Sequence, residues 1–218
     1  ELRHDPADVP LPPYYPDTPV VRQNMAVFHT QMTLMDRQVG EVLQQLEDDG
    51  LAGDTIVFFY SDHGSGLPRH KRWLHDSGSR VAFIVRAPEK FKALAPDGAG
   101  SYTNRLISFV DLAPTTLSLV GLPIPGHMQG YAFMGKAAGA PRADLYMARD
   151  RSAQTLEVSR SIREYRYQYI RNFYPHRPRM QYCYYSEPTP IRVELRRLEN
   201  AGGIDGPAGW LLDQALPV

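Results

Sequence analysis

Four consecutive residues, Ser61-Asp62-His63-Gly64, place a carboxylate beside an imidazole directly after a hydrophobic run, with Gly64 leaving room for another group. Carboxylate oxygen suits hard divalent cations, and imidazole suits zinc or manganese. Asp62 and His63 are therefore candidate ligands for a metal ion. A plain turn is the alternative, with Asp62 accepting hydrogen bonds from nearby backbone donors. The loop that follows is densely cationic. Arg69, Lys71, Arg72 and Arg80, with His70 and His75, fall within twelve positions. A metal with ammonium and guanidinium groups over one strand end suits a substrate that is a dispersed oxyanion. Such groups stabilise charge on non-bridging oxygens, so sulfate and phosphate esters both qualify. For any single arginine here, a solvated loop is the simpler account.

Other side chains with chemical potential carry less. His127 sits in Pro-Gly-His-Met and reads as an ordinary loop histidine. The tyrosines and phenylalanine at 165, 167, 169, 173 and 174 are expected to pack in the core and edges of a small sheet rather than to form a sugar platform. Cys183, the one cysteine, has no partner for an internal disulfide and reads as a small buried residue.

The elements that must position these groups follow from the apolar pattern. Residues 54–60 form a short, continuous apolar run rich in β-branched and aromatic types. Residues 80–86 form a second, stopped by Pro88. Such runs predict strands buried on both faces, as in a parallel sheet. Ligands of open α/β sheets bind outside the carboxyl ends of the strands, which is where Asp62 and His63 lie. Upstream, Thr18-Pro19 is a helix start. Val21, Met25, Phe28, Met32, Met35, Val39, Val42 and Leu46 then recur at steps of three and four, which predicts one long amphipathic helix closed by Gly50. The Pro-rich segment 1–17 is expected to lie extended over a surface. Residues 111–120 predict a short helix, and 121–143 read as a linker. Beyond it, runs at 145–149, 156–162, 165–173 and 180–185 alternate apolar and polar residues and predict a small antiparallel sheet. A helix is expected at 194–201, and 202–218 show no clear structural closure. The organisation expected is an α/β core over 1–140 and a small, incomplete antiparallel subdomain over 141–218.

Bulk properties exclude some classes. The 218 residues carry 24 basic and 24 acidic side chains, so no net field favours nucleic acid or an anionic membrane as partner. No stretch approaches the roughly 20 apolar residues of a membrane span. The chain begins at Glu1 rather than Met, which is expected of a fragment or a processed product.

Taken in order, several segments resemble the sulfatase family of the alkaline phosphatase-like superfamily. They are Asp36-Arg-Gln-Val-Gly-Glu-Val-Leu, Asp54-Thr-Ile-Val-Phe-Phe-Tyr-Ser-Asp-His-Gly, Lys71 with Asp76-Ser-Gly-Ser-Arg-Val, Ser108-Phe-Val-Asp-Leu-Ala-Pro-Thr and Met128-Gln-Gly-Tyr-Ala-Phe. The Arg/Tyr-rich stretch 163–178 is similar to the C-terminal subdomain of bacterial sulfatases related to heparan N-sulfatase. The resemblance implies a mostly parallel sheet with flanking helices, and hydrolysis of a sulfate ester or sulfamate. It implies that Asp62 and His63 are the second pair of metal ligands, with asparagine at the position of His63 in many relatives. It assigns Lys71 to the sulfate group as a catalytic and substrate-binding residue, with His75 and Arg69 as further substrate-binding candidates. Asp76 and Arg80 are expected to support the loop. Calcium is the expected metal, with manganese or magnesium as alternatives. The family nucleophile, a formylglycine made within a Cys/Ser-x-Pro-x-Arg motif, has no counterpart here and is expected in an N-terminal half of the same protein. The fragment alone is then expected to be inactive. The partners implied are a small-molecule or glycan sulfate and that N-terminal half, with oligomerisation left open. Location stays open between periplasmic, secreted and cytoplasmic. A phosphonate or phosphodiester hydrolase of the same superfamily, and a non-catalytic binding module, remain as alternative functions.

Overall fold

The structure is a computed structural model and describes residues 3–212. Helix α1 spans Pro19–Asp48 and starts as its sequence dictates. The Thr18 side chain accepts a hydrogen bond from the Val21 amide, and Pro19 occupies the first turn, where no amide proton is needed. Gly50, at φ 69°, takes the left-handed conformation just beyond its end. The apolar stripe is covered only in its first part. Val21, Met25, Ala26 and Thr30 are buried, whereas Met32 and Val42 are exposed. The covering element is helix α4, Pro190–Asn200, whose Ile191 and Leu195 are fully buried against α1. The Pro-rich segment lies over this junction, and its Val9 and Tyr15 enter the same core.

Strands β1, Val57–Tyr60, and β2, Phe83–Arg86, form a two-stranded sheet. They pair antiparallel, with Val57 opposite Arg86 and Tyr60 opposite Phe83, rather than as neighbours in a parallel sheet. The physical reason lies in the connection. A parallel neighbour needs a crossover, usually a full helix. Residues 61–82 instead fold back as a loop whose only helix is the single turn α2, Asp76–Ser79. The strands are also less covered than their composition predicts, since Ile84 is 61% exposed.

A 3-10 turn, Phe109–Asp111, leads into helix α3, Leu112–Leu119. The segment 121–143 has no regular element, yet it is tied down. The amide of Phe133 donates to Thr115 Oγ1 at 3.1 Å, that of Ala137 donates to Ser118 Oγ at 2.9 Å, and Met134 is buried.

Strands β3, Asp144–Arg149, β4, Ser159–Glu164, and β5, Gln168–Asn172, form the expected antiparallel sheet in that order. Residues 180–185 do not join it. They make turns in which Met180 and Cys183 are buried. The tyrosine cluster also departs from expectation. Tyr165, Tyr167, Tyr169 and Phe173 are exposed, because the first two flank the β4–β5 turn and Tyr169 stands on the sheet's outer face opposite Ile162. Helix α5, Gly206–Gly209, follows, and the closing residues 213–218 lie outside those described. Among the described residues no helix is long and apolar enough to cross a membrane.

Candidate functional site

Asp62 and His63 stand at the carboxyl end of β1. The Ser61 hydroxyl donates to the His63 carbonyl at 2.7 Å and fixes the turn. His63 Nδ1 lies 2.7 Å from the Gly64 carbonyl oxygen. A carbonyl has no proton to give, so in the neutral imidazole Nδ1 holds the proton and Nε2 keeps its lone pair. That Nε2 is 3.4 Å from Asp62 Oδ2, and the Asp62 side chain is largely in solvent. The donor set is one carboxylate and one imidazole with its lone pair available. It fits part of a divalent coordination shell, which needs at least four ligands. Among the described residues no third His, Cys, Asp or Glu joins them.

Two glycines let the cationic loop close on this turn. A Cβ on Gly64 would lie 2.1 Å from the Ser77 carbonyl oxygen. One on Gly78 would lie 2.2 Å from that of His70 and 2.3 Å from that of Trp73. Only glycine permits such backbone approach. The Gly64 amide uses it to donate to the Gly78 carbonyl at 3.1 Å.

Lys71 is held by its backbone, whose amide donates to the Ser65 carbonyl at 2.9 Å. Its ammonium has no ion-pair partner among the described residues. The residues around it are strained. Arg69 and Arg72 take positive φ of 67° and 76°, which few non-glycine residues adopt. Arg69 lays its guanidinium over the rings of Tyr14 and Trp210, at 4.5 and 5.4 Å. Arg72 donates to Cys183 Sγ at 3.0 Å and covers Tyr185. Burial pushes the Cys183 thiol up, but hydrogen bonds from Ser186 and Arg72 outweigh it and leave the thiol below its usual value.

The two histidines of the loop differ from His63. His70 is clamped between the Tyr14 hydroxyl at 3.0 Å and the Ser65 hydroxyl at 2.8 Å. Burial, then the nearby Arg69 charge, depresses its pKa to about 4. His75 stacks on Trp73 and meets Trp210 edge-on. Burial, then Arg69 and Arg179, depresses it likewise to about 4. Both are neutral at pH 7. Asp76 binds Arg163 of β4 at 2.7 Å, so it anchors the loop to the antiparallel sheet. Arg80 and His127 are exposed.

Lys71, Arg69 and His75 lie on one loop, which backbone bonds from Lys71 to Ser65 and from Gly64 to Gly78 tie to the segment after the Asp62–His63 turn. The structure also shows groups that sequence reasoning missed. Asp111 is buried and accepts from the amides of Ser108 and Tyr131 at 2.9 and 2.8 Å and from Arg142. The Ser-x-x-Asp spacing at 108–111, which forms a capping box, was a readable signal. A cleft of about 190 Å³ beside His75 is lined by Trp73, Arg149, Asn172, Arg177 and Trp210. No local motif marks it, because its walls come from segments far apart in sequence.

Comparison with known proteins covers both regions. A family model described as Sulfatase matches residues 4–122, and one described as N-sulphoglucosamine sulphohydrolase, C-terminal, matches residues 68–192. An ulvan-active sulfatase of Formosa agariphila is 43% identical over 195 residues, covering 89% of this chain and 32% of that protein. N-sulphoglucosamine sulphohydrolase of Homo sapiens is 36% identical over 124 residues, covering 57% of this chain and 24% of that protein. A solved structure of a protein in complex with its substrate D-glucosamine-2-N,6-O-disulfate matches at TM-score 0.58 and 22% identity, over 83% of this chain and 39% of that one. That likeness shows a shared fold, and the α/β architecture is of the alkaline phosphatase-like type. The chain spans about a third or less of the length of these curated relatives.

Proposed function

Because this chain belongs to the sulfatase family, we propose that the gene-encoded protein hydrolyses a sulfate ester or sulfamate in a metal-dependent reaction. The observation that carries the reading is that His63 Nε2 lies 3.4 Å from Asp62 Oδ2 on a segment bonded through its backbone to the loop of Lys71, whose ammonium has no ion-pair partner among the described residues. Asp62 and His63 would hold the cation together with ligands from outside this chain. A bound divalent cation draws charge from the non-bridging oxygens of the sulfate. Lys71 adds its own positive charge to one of those oxygens, where charge grows as the bond to the leaving group breaks. The family expectation is calcium, and the imidazole also suits manganese. The nucleophile, a formylglycine on this reading, comes from the part of the relatives' length that this chain does not span. The names of the relatives, one active on ulvan and one on N-sulphoglucosamine, support a sulfated glycan as substrate. Rates of the gene-encoded protein on an aryl sulfate and on a phosphate diester test the reading. The sulfate is expected to turn over faster, and preference for the diester would overturn it.

A further inference from the structure

We infer that the cleft between the Lys71 loop and the three-stranded sheet binds a second acidic substituent, a sulfate or a carboxylate, of the same glycan. The inference rests on the reading above for its substrate and on the cleft alone for its chemistry. Arg149, Ser159 and Asn172 are partners across β3, β4 and β5, so they share one row on the sheet's inner face and form the floor. Trp73 and His75 make the wall on the loop side. Arg177, Arg179 and Trp210 close the third side.

Charge and hydrogen bonding both call for an anion. Among the described lining residues, the guanidinium groups of Arg149 and Arg177 stand with one carboxylate, Glu157, which lies 2.7 Å from Arg149 Nη1. The Arg149 side chain is only 8% exposed, and its Nε has no hydrogen-bond partner among the described residues. Arg177 Nε is likewise buried without one among the described residues. A buried donor without an acceptor costs free energy, and an oxyanion restores the missing bonds, often to two guanidinium nitrogens at once. The depressed pKa of His75 leaves this wall uncharged, so the arginines set the sign.

Shape narrows the anion to a group carried on a sugar. Trp73 and Trp210 present rings 6.1 Å apart at 45°, apolar surface that a bare inorganic ion does not use. Drug-sized ligands fill about 300–1,000 Å³. The 190 Å³ here suits one sugar ring with its substituent. Position ties the cleft to the sulfate end. Trp73 is two residues from Lys71, a reach of at most ~7 Å along the chain. The inferred pose sets the scissile sulfate at Lys71 and the neighbouring acidic group of the same glycan in the cleft.

Titration calorimetry on the gene-encoded protein tests this with three disaccharides. The first is unsulfated and bears a uronate, the second bears one sulfate and no carboxylate, and the third bears two sulfates. Arg177→Ala should weaken the uronate and the disulfated disaccharides at least tenfold and the monosulfated one less than twofold. Loss confined to the uronate or to the disulfated probe also supports the cleft and identifies its acid. Arg177→Gln, milder for folding, should show the same selectivity, and an unchanged melting temperature ties the loss to binding. Equal loss for all three, or no loss for any, would overturn the inference. The uronate probe contains no scissile sulfate. Intact uronate binding without sulfate hydrolysis therefore counts against the proposed function and for the cleft.

Discussion

Replacing Asp111 by asparagine should destabilise the protein by about 3 kcal/mol. The carboxylate is 3% exposed and accepts from Ser108 N at 2.9 Å, Tyr131 N at 2.8 Å and Arg142 Nε at 3.2 Å, with a further bond from Arg142 Nη2. Asparagine keeps the shape but removes the charge and turns one acceptor into a donor that faces the guanidinium. Breaking a buried pair costs roughly 3–5 kcal/mol, and Arg142, 19% exposed, can reach water, which sets the lower end. Each kcal/mol shifts the melting temperature by about 2–4 °C in domains of 150–250 residues, so a fall of roughly 6–12 °C is expected. Thermal unfolding followed by circular dichroism measures it. Burial raises the Asp111 pKa, but the bonds from Arg142, Ser108 and Tyr131 outweigh that and hold it below the usual carboxylate range. A depressed carboxylate contributes stability in full above its unfolded value of about 3.9 and loses it as pH falls through the folded value. The gap between the wild type and Asp111→Asn should therefore narrow in acid. A shift under about 2 °C at neutral pH would mean that the Asp111–Arg142 pair contributes little to stability.

Three further outcomes follow from the loop. Gly78→Ala should lower the melting temperature and abolish activity together, because its Cβ would lie 2.2 Å from the His70 carbonyl oxygen; retention of both would contradict the close approach. The imidazoles of His70 and His75, depressed to about 4, should stay neutral by NMR as pH falls from 7 to 5. Their contribution to stability is whole above about 6.5 and lost as pH falls toward 4, since the unfolded chain takes up the protons first. Cys183 is fully buried, so an aromatic disulfide reagent should label it only after denaturant is added, and fast labelling of the native protein would contradict its burial.

How far the sequence could be read depended on whether the signal was local. The start of α1 was legible because Thr18 and Pro19 act within one turn. The strand ends and the position of Asp62 and His63 were legible because an apolar run and its polar successor are neighbours in the chain. The pairing of β1 with β2 was not, because composition reports how well a strand is covered and not which strand lies beside it. The exposed Tyr169 fell on the outer face through the register with Ile162, which no single-strand pattern fixes. Arg149 and Asn172 share a row through two pairings, and their cleft was invisible for the same reason. Asp111 carried a local signal in its capping box, but its partner Arg142 lies a whole irregular segment away.

On the proposed function, the Asp62–His63 pair serves hydrolysis. Asp62 is largely solvated, so Asp62→Ala should leave the fold intact and isolate the chemistry. Steady-state sulfate release by the gene-encoded protein with and without this change tests it most directly. A loss of several orders of magnitude with an unchanged melting temperature is expected. Undiminished hydrolysis by Asp62→Ala would contradict it.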